Sequence, residues 1–336
     1  LLSVGSLSVV VDTWSIISGP LIILDLQIDD LDVQIERDDD KVASWSTGRP
    51  PAKDKKPFTF YTDLIVFRNV ELDSATLSYR SPHRPRPINA AIEHVRLSPD
   101  DNDILDLDLL GTINEFPLFA RGSIGPWRNL VTGRDLSADL EAGLGQVVLD
   151  VEGSAGDLIT LGGVVVTFGL SGPSIDRVTE RLGLPVFAYG EFELRGSVSA
   201  ADVGRLMRLE GNMGDIDIVV DGTVDKLRTP SASDFDARIS GPSARDFAEL
   251  FGVAGVPGEP YEISGTYSVR RTTVTVTNAL ARIGDNTIRV DGSLDTQQVP
   301  PELDVTINAA GPNFSVFAPF IGIDGVPENV FDIDGR

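Results

Sequence analysis

Apolar and polar residues alternate along most of this chain, and a two-residue period predicts β-strands with one apolar face. In the C-terminal part the alternating segments also repeat. The pair Gly172-Pro173 returns as Gly241-Pro242 and as Gly311-Pro312, in steps of 69 and 70 residues. The sequence therefore predicts structural repeats of about 70 residues. Two further glycine series keep the same steps, namely Gly153, Gly222 and Gly292, and Gly196, Gly265 and Gly335.

Three sets of predicted strands recur with this period. Within each set the apolar residues fall in register, so all members present the same face. The sets are 192–196, 261–265 and 331–335; 147–153, 216–222 and 287–292; and 166–170, 235–239 and 305–309.

A short helix is predicted after each Gly-Pro pair. The three segments are 174–182, 243–251 and 313–321, with Ser174, Ser243 and Asn313 as N-caps and Gly183, Gly252 and Gly322 as stops. Glycine near the end of a strand is tolerated where a sheet bends, so the periodic glycines predict curvature, unless they only begin turns. We therefore predict an all-β fold with short helices. It would be an elongated, curved antiparallel β-sheet forming a repeating β-groove, with one short helix in each repeat.

The N-terminal part keeps the alternation with a looser period. Its predicted strands are 7–11, 22–28, 33–36, 72–79, 90–97, 104–110 and 119–125. The predicted organisation is an N-terminal β module (1–47), a Pro/Lys-rich loop (48–57), an irregular β unit (58–125) and the periodic groove (126–336). The groove would contain repeats of about 126–199, 200–268 and 269–336, all in one continuous stack.

Composition excludes several classes of function. There are 51 Asp and Glu residues against 28 Lys and Arg, and the resulting net charge of −23 argues against nucleic acid as a partner. The chain has no Cys and only two His, so the common nucleophiles, catalytic bases and soft metal ligands are nearly lacking. We expect a protein that is not an enzyme and uses no cofactor.

No membrane-spanning segment is predicted in these residues. The most apolar stretch, 8–26, is interrupted by Asp12, Gly19, Pro20 and Asp25 and is too broken to form a spanning helix. The chain starts without methionine and ends within an alternating segment. We therefore expect a piece of a longer protein, with any anchor outside it.

The residues that could carry chemistry form no recognisable site. His83 lies in a predicted loop and His94 on a predicted strand, with nothing to fix their spacing, so no metal site is predicted. The acidic clusters 38–40 and 100–103 could bind calcium, but they lack the pattern of an EF-hand and are better explained as solvated turns. Asp215 and Asp217 follow the strand alternation and are expected on the solvated face.

The apolar face of the repeats needs a cover. One short helix in each repeat is too small for about four strands, so the sheet either closes on itself or leaves an apolar trough. Such a trough suits a lipid acyl chain. Burial contributes about 0.8 kcal/mol per CH₂ group, so covering half of a 16-carbon chain contributes roughly 6 kcal/mol.

The order of motifs resembles the AsmA family, a group related to TamB and to the bridge-like lipid transfer proteins. Each repeat has a strand ending in Ser-Gly-Pro, a short apolar helix, Gly183-Leu184-Pro185 or its counterpart, a strand of the type 192–196 and a strand of the type 216–222. The start of the chain resembles the family's opening strands at 7–12, 18–23, 33–38 and Trp45. Here Asp40-Lys41 and Ser44-Trp45 replace the family's usual glycine and Asn-Trp.

This resemblance, which covers nearly the whole chain, implies a location and a function. Such proteins are held at the inner membrane of Gram-negative bacteria, project into the periplasm and are thought to pass phospholipids toward the outer membrane along a β-groove. For this chain it implies phospholipid acyl chains as partners, an anchor outside these residues, possible envelope protein partners and a role in outer-membrane biogenesis. The candidate lipid-contacting residues are the inward positions of the repeated strands, each of which could instead be plain core: Leu149, Val151, Phe168, Leu170, Phe192, Leu194, Ile216, Ile218, Val220, Tyr261, Ile263, Ile288, Val290, Val305 and Ile307.

Two alternatives remain open at this point. The chain could be a non-enzymatic envelope scaffold or an outer-membrane-protein assembly factor that holds partners by pairing with its edge strands. It could also be a calcium-dependent adhesion domain, since residues 100–103 faintly resemble the linker motif of such domains.

Overall fold

The computed structural model describes residues 2–15, 21–36, 65–81, 87–100, 102–130, 132–174, 190–228, 230–297, 302–321, 326 and 329–336. These residues form an all-β fold with a few short helices, built on open, curved sheets, as predicted. The chain divides into two compact units. Unit 1 comprises Leu1–Ile159 and Phe168–Gly190, and unit 2 comprises Thr160–Thr167 and Glu191–Arg336. The predicted loop at 48–57 lies outside the described residues.

Unit 1 is a sheet whose strands mostly follow one another in sequence. Each strand from β4 to β9 pairs antiparallel with the next, and β1 pairs antiparallel with β2. The strands are β1 (Leu2–Val11), β2 (Leu21–Glu36), β3 (Ile65–Phe67), β4 (Val70–Arg80), β5 (Ile88–Pro99), β6 (Leu105–Ile113), β7 (Phe116–Gly125), β8 (Arg134–Leu144) and β9 (Val147–Asp157). A further strand, β10 (Val165–Gly172), contains the division between the units, and a short helix, Trp127–Leu130, follows β7.

The strand β2 differs from the prediction in two ways. It pairs parallel with β3 and β4, whereas the whole sheet was expected to be antiparallel. It is also one strand of 16 residues where two were predicted. The two predicted segments form one strand because a bulge lies between them. Asp30 and Ser74 have φ angles of 53° and 57° and are skipped in the register of β2 with β4, so the alternation shifts by one residue in mid-strand.

Unit 2 contains two successive repeats of four strands and a cover segment. Each strand from β11 to β19 pairs antiparallel with the next. The strands are β11 (Phe192–Ala200), β12 (Arg205–Met213), β13 (Ile216–Val224), β14 (Ala232–Gly241), β15 (Tyr261–Arg270), β16 (Thr273–Ile283), β17 (Asn286–Asp295), β18 (Glu302–Gly311) and β19 (Phe331–Gly335). The repeated strand segments are confirmed here, and β12 and β16 are additional strands between them.

The cover segment after β14 matches the prediction of a capped helix. It begins with the helix Ala244–Glu249, whose N-cap Ser243 accepts a hydrogen bond from the amide of Asp246. It stops at Gly252, which has a φ angle of 72°. The amides of Gly252 and Val253 donate to the carbonyls of Glu249 and Ala248, the pair of bonds that defines a Schellman motif. We call residues 244–256 the first cover segment.

The cover segment after β18 is helical, as predicted, but its helices are of the 3₁₀ type. Residues Phe314–Val316 and Ala318–Ile321 form two 3₁₀ turns, with Asn313 as the N-cap. Phe314, Phe317 and Phe320 are three residues apart, which suits the three residues per turn of a 3₁₀-helix better than the 3.6 of an α-helix. We call residues 313–321 the second cover segment. Of the helical segment predicted at 174–182, all but Ser174 lies outside the described residues, as do the stops Gly183 and Gly322.

The register places the apolar residues of unit 2 on one side of the sheet, here called the apolar face. Ile218 stands opposite Gly211 on one neighbouring strand and opposite Ile239 on the other. The opposite, polar face carries cross-strand ion pairs, among them Arg238 with Glu262 at 2.9 Å and Arg270 with Asp234 at 2.7 Å.

Candidate functional site

The two cover segments pack against one end of the apolar face in unit 2. There the buried residues form a cluster around Tyr261, whose ring lies 4.7 Å from that of Phe247. Phe331 packs against the second cover segment, with ring centroids 5.1 Å from Phe314 and 6.2 Å from Phe317. The cover segments therefore pack over the beginnings of β15 and β19, where Tyr261 is buried and Ile263 and Phe331 are half-buried against the cluster.

Beside this cluster lies a cavity of about 500 Å³, within the range of roughly 300–1,000 Å³ that is usual for small-molecule sites. Its floor is a row of residues that stand opposite one another on the five strands β15 to β19. Five strands span about 19 Å at a spacing of ~4.8 Å. The lining residues are Ala244, Phe247, Tyr261, Ile263, Ala281, Ile283, Ile288, Val305, Ile307, Ala309, Phe314, Phe317, Phe320, Ile333, Gly335 and Arg336.

The lining is almost wholly apolar. Arg336 is its one charged member, and the guanidinium is paired with Asp304 at 3.1 Å on the largely exposed rim. The short side chains of Ala281 and Ala309 leave space above the floor, and the phenylalanines of the cover segments line the cavity above it. Such a lining can hold an aliphatic or aromatic group through dispersion and exclusion of water, without selecting a charge.

Away from the cover segments, the apolar face is partly open to solvent. Ile307, in the cavity lining, is 37% exposed, and outside the lining Val220 and Val290 are half-buried. A closed β-sandwich would bury such residues on its inner face. The structure thus shows an accessible apolar surface that continues from the cavity floor.

Five of the fifteen residues predicted from sequence line the cavity: Tyr261, Ile263, Ile288, Val305 and Ile307. The other six in unit 2 share the apolar face but lie outside the cavity. Among them Phe192 is buried at 4% exposure, while Leu194, Ile216, Ile218, Val220 and Val290 are half-buried. The remaining four belong to unit 1, where Leu149 is exposed and Val151, Phe168 and Leu170 are half-buried.

Sequence analysis missed the small residues of the floor and the aromatic residues above it. Ala281, Ala309 and Gly335 line the cavity because they are short, and shortness carries no signal in an apolar–polar pattern. Phe247, Phe314, Phe317 and Phe320 were assigned only to helix packing. Their spacing along the cover segments was visible in the sequence, but the side of the cavity they occupy was not.

One buried polar residue, Asn286, joins the floor to the second cover segment. It is 2% exposed; its amide group donates to the carbonyl of Ile283 at 3.2 Å, and its Oδ1 accepts from the amide of Asn313 at 2.9 Å. Gly311 lies against it, because a Cβ there would approach the Asn286 Cα to 2.9 Å. Gly311, the glycine of the third Gly-Pro pair, therefore leaves room for Asn286, which holds the second cover segment in place.

Among the described residues, no three His, Cys, Asp or Glu side chains are grouped in a way that could hold a metal ion. His94 Nε2 lies 3.4 Å from a carboxylate oxygen of Asp108. Asp100 accepts from the amides of Asn102 and Ile104, both at 2.8 Å, and these bonds hold the pKa of its carboxyl below the ordinary value. Asp100 thus closes a turn, the role expected for a solvated cluster. His83 and the cluster 38–40 lie outside the described residues.

Within the part of the chain that the structure describes, none of the helices is long and apolar enough to span a bilayer.

Comparison of the chain with models of protein families, with curated proteins and with solved structures gives no match. The fold and the cavity by themselves define a β-sheet protein with one accessible apolar face and a partly covered apolar site on it.

Proposed function

We propose that this chain binds the acyl chains of phospholipids on its apolar face and helps to move them between the inner and outer membranes of a Gram-negative bacterium. The observation that carries the proposal is the apolar cavity of about 500 Å³ between the cover segments and the floor of β15 to β19. The periplasmic location and the anchor at the inner membrane rest on the resemblance to the AsmA family.

The lining supports transfer as well as binding. Burial contributes about 0.8 kcal/mol per CH₂ group removed from water, and an apolar surface provides this in proportion to the area of the acyl chain that it covers. A chain can therefore leave the cavity for the half-exposed residues beside it without breaking a specific bond. The acidic exterior, with a net charge of −23, disfavours flat adsorption of the protein on an anionic leaflet.

The direct test is native mass spectrometry and lipid extraction of the purified protein. We expect phospholipid to copurify, and delipidated protein to take up lipid from neutral vesicles. Protein that carries no lipid and takes none up from vesicles would contradict the proposal.

A pair of charged substitutions on adjacent residues of β13 tests the apolar face itself. Ile218 lies on that face, whereas Val219 lies on the polar face and is 38% exposed. Ile218→Asp should lower the rate of lipid transfer between vesicles about tenfold or more, because an acyl chain would have to pass a carboxylate. Val219→Asp should transfer lipid at the normal rate, and circular dichroism should show both variants folded. If Ile218→Asp alone unfolds the protein, the face is a closed core and the proposal is wrong.

A second candidate function, an envelope scaffold, is favoured by one observation. In β1, nine of the ten residues are exposed and none is charged. Charged residues and prolines commonly protect exposed strands from pairing with a strand of another protein. Strand addition by another protein would use these features. Photo-crosslinking from Ser6 in the intact envelope distinguishes the two functions, since a protein partner captured there supports the scaffold and labelled lipid supports the groove.

A further inference from the structure

The cavity between the cover segments and the sheet is closed on one side and open on the other. On the side of β15 and β16 its walls are buried, since Tyr261 and Ile283 are each 5% exposed and Ala244 of the first cover segment is 1% exposed. We call this side the blind end. The exposed apolar residues of the described lining all belong to β18, β19 or the second cover segment, and we call their side the mouth. They are Ile307 at 37%, Ile333 at 39% and Phe320 at 43%.

The length of the cavity floor suits an acyl chain that lies across the strands. One row of lining residues leads from the blind end to the mouth, in the order Ile263, Ala281, Ile288, Ala309 and Ile333. The row spans about 19 Å at ~4.8 Å per strand. An acyl chain in a bilayer spans half of the hydrocarbon core of ~30 Å, that is about 15 Å, and more when it is fully extended. A chain of this kind can therefore lie along the row.

The volume of the cavity limits the number of chains. An apolar cavity of about 150 Å³ holds one benzene molecule with its six carbon atoms, so a cavity of about 500 Å³ holds roughly 20 carbon atoms. One chain of about 16 carbon atoms fits this space, whereas both chains of a diacyl phospholipid, with twice that number, do not.

The difference between the two ends determines the direction of the chain. Burying a charged group without a partner is costly, so the polar end of a lipid stays where water reaches it. Water reaches the lining at the mouth, and Arg336, the charged residue of the lining, also belongs to that side. The methyl end of the chain then lies at the blind end, against Tyr261 and Ile283.

We propose that this cavity binds a single acyl chain, which enters methyl end first, so that a diacyl phospholipid inserts only one of its two chains here. This inference rests on the proposed function, because it requires acyl chains as ligands. A free fatty acid, a lysophospholipid and one chain of a diacyl lipid present the same hydrocarbon to the cavity. The second chain of a diacyl lipid lies on the accessible apolar surface beside the cavity.

The test makes the same substitution at two positions of the row in the full chain. Ala281 on β16 lies about 14 Å from β19, and Ala309 on β18 lies about 5 Å from it, at ~4.8 Å per strand. From the mouth, a chain of about ten carbon atoms reaches roughly 9 Å, and a chain of about 16 reaches 15 Å or more. Ala281→Phe should therefore weaken the binding of hexadecanoate fivefold or more and leave that of decanoate within twofold. Ala309→Phe should weaken the binding of both fivefold or more.

Affinities are measured in competition with an apolar fluorescent dye whose own affinity is determined for each variant. Ala310→Phe, on the polar face, is the control and should change neither affinity. Circular dichroism checks that each variant is folded. Ala281→Leu and Ile307→Phe replace the two cavity variants if either of these does not fold, because they put smaller or more exposed additions at the same two ends.

The outcomes separate this inference from the proposed function. If Ala281→Phe weakens both ligands and Ala309→Phe weakens only hexadecanoate, the chain lies in the opposite direction and the inference is wrong. Losses that do not depend on chain length in either variant also overturn it, and they leave the groove intact. Failure of both fatty acids to bind the wild type overturns the proposed function as well.

Native mass spectrometry tests the number of chains and the kind of lipid. At saturation, Ala309→Phe should carry one hexadecanoate fewer than the wild type, and a loss of two would contradict occupancy by a single chain. Hexadecanoate and lysophosphatidylcholine with the same chain then compete for the wild type. Retention of hexadecanoate identifies the free fatty acid as the preferred source of the chain, and retention of the other ligand identifies a phospholipid.

Discussion

At the scale of single residues, the glycines of the apolar face differ in how closely a neighbouring strand approaches them. A Cβ on Gly292 would meet the carbonyl oxygen of Asp304 and would approach the Cα of Val305 to 2.8 Å. Gly335 is on the same face and has no atom within 4 Å of its Cβ position. The same residue type thus has a steric role at one position and not at the other.

This contrast gives a prediction for stability. Gly292→Ala should lower the free energy of unfolding by about 1–3 kcal/mol, because the backbone of β18 would have to move away. Gly335→Ala should change it by no more than about 0.5 kcal/mol. Urea denaturation followed by circular dichroism measures both. Equal effects of the two substitutions would show that strand propensity and not close approach determines the glycine positions.

Asp234 gives a prediction for pH dependence. The carboxylate accepts from the Arg270 guanidinium at 2.7 and 2.8 Å and from Ser268 Oγ at 2.6 Å, and these bonds lower the pKa of Asp234 from its ordinary value of 3.8. Because the pKa of Asp234 is lower in the folded than in the unfolded protein, the ionised carboxylate stabilises the folded state at pH values above the unfolded-state pKa. This contribution is lost as the pH falls through 3.8 and below.

Asp234→Asn should therefore make the unfolding free energy depend less on pH between about 5 and 3. Arg270→Gln removes the same pair from the other side and should flatten the same window. Urea titrations at several pH values check both. A curve for Asp234→Asn that is parallel to that of the wild type would rule out the stabilising role of this pair.

At the scale of elements, β18 shows how one strand serves two environments. Ala309 is part of the cavity floor and is buried, and the next residue, Ala310, is exposed on the polar face. The alternation predicts this division for the repeated strands of unit 2, whereas a bulge at Asn278 in β16 shifts it. It does not predict that a short residue at 309 leaves space for a ligand, because that space depends on the cover segment folded above it.

Filling that space should block binding. Ala309→Phe puts a large side chain into the cavity, so we expect uptake of lipid from vesicles to fall at least fivefold. Ala310→Phe makes the same change on the polar face and should have no effect on uptake. Melting temperatures control for overpacking, and unchanged uptake by folded Ala309→Phe would exclude this cavity as the binding site.

At the scale of the whole molecule, the net charge of −23 is spread over 336 residues. Self-repulsion of such a charge destabilises the compact state, and salt screens it with a Debye length of about 10 Å at 0.1 M. Salt also weakens the surface ion pairs, which lowers stability, but exposed pairs contribute only about 0–1 kcal/mol each.

We therefore expect the urea midpoint of unfolding to rise as sodium chloride is increased from about 10 mM to 300 mM. Sucrose at equal osmolarity is the control for effects that do not involve charge. A midpoint that falls with salt would mean that the cross-strand ion pairs outweigh the net repulsion.

The sequence by itself determined the repeated strands, their faces and the repeat. These depend on periods of two and of about 70 residues, which are local properties of the chain. It also indicated the capped helix at Ser243, because a cap and a stop act within a few residues of the helix. The parallel pairing of β2 with β4 could not be predicted from the sequence, because the two strands are far apart in the chain and their bulges hide the alternation.

Only the tertiary structure decided what the apolar face encloses. A buried core and an accessible groove use the same Val, Ile, Leu and Phe residues, so the pattern could not distinguish the buried Phe192 from the half-exposed Ile307. Tertiary packing decides the difference: in unit 2 the cover segments bury Tyr261 and Ile283 and leave Ile307 accessible. The cavity, the short floor residues Ala281 and Ala309 and the unpaired hydroxyl of Tyr261 all follow from that packing.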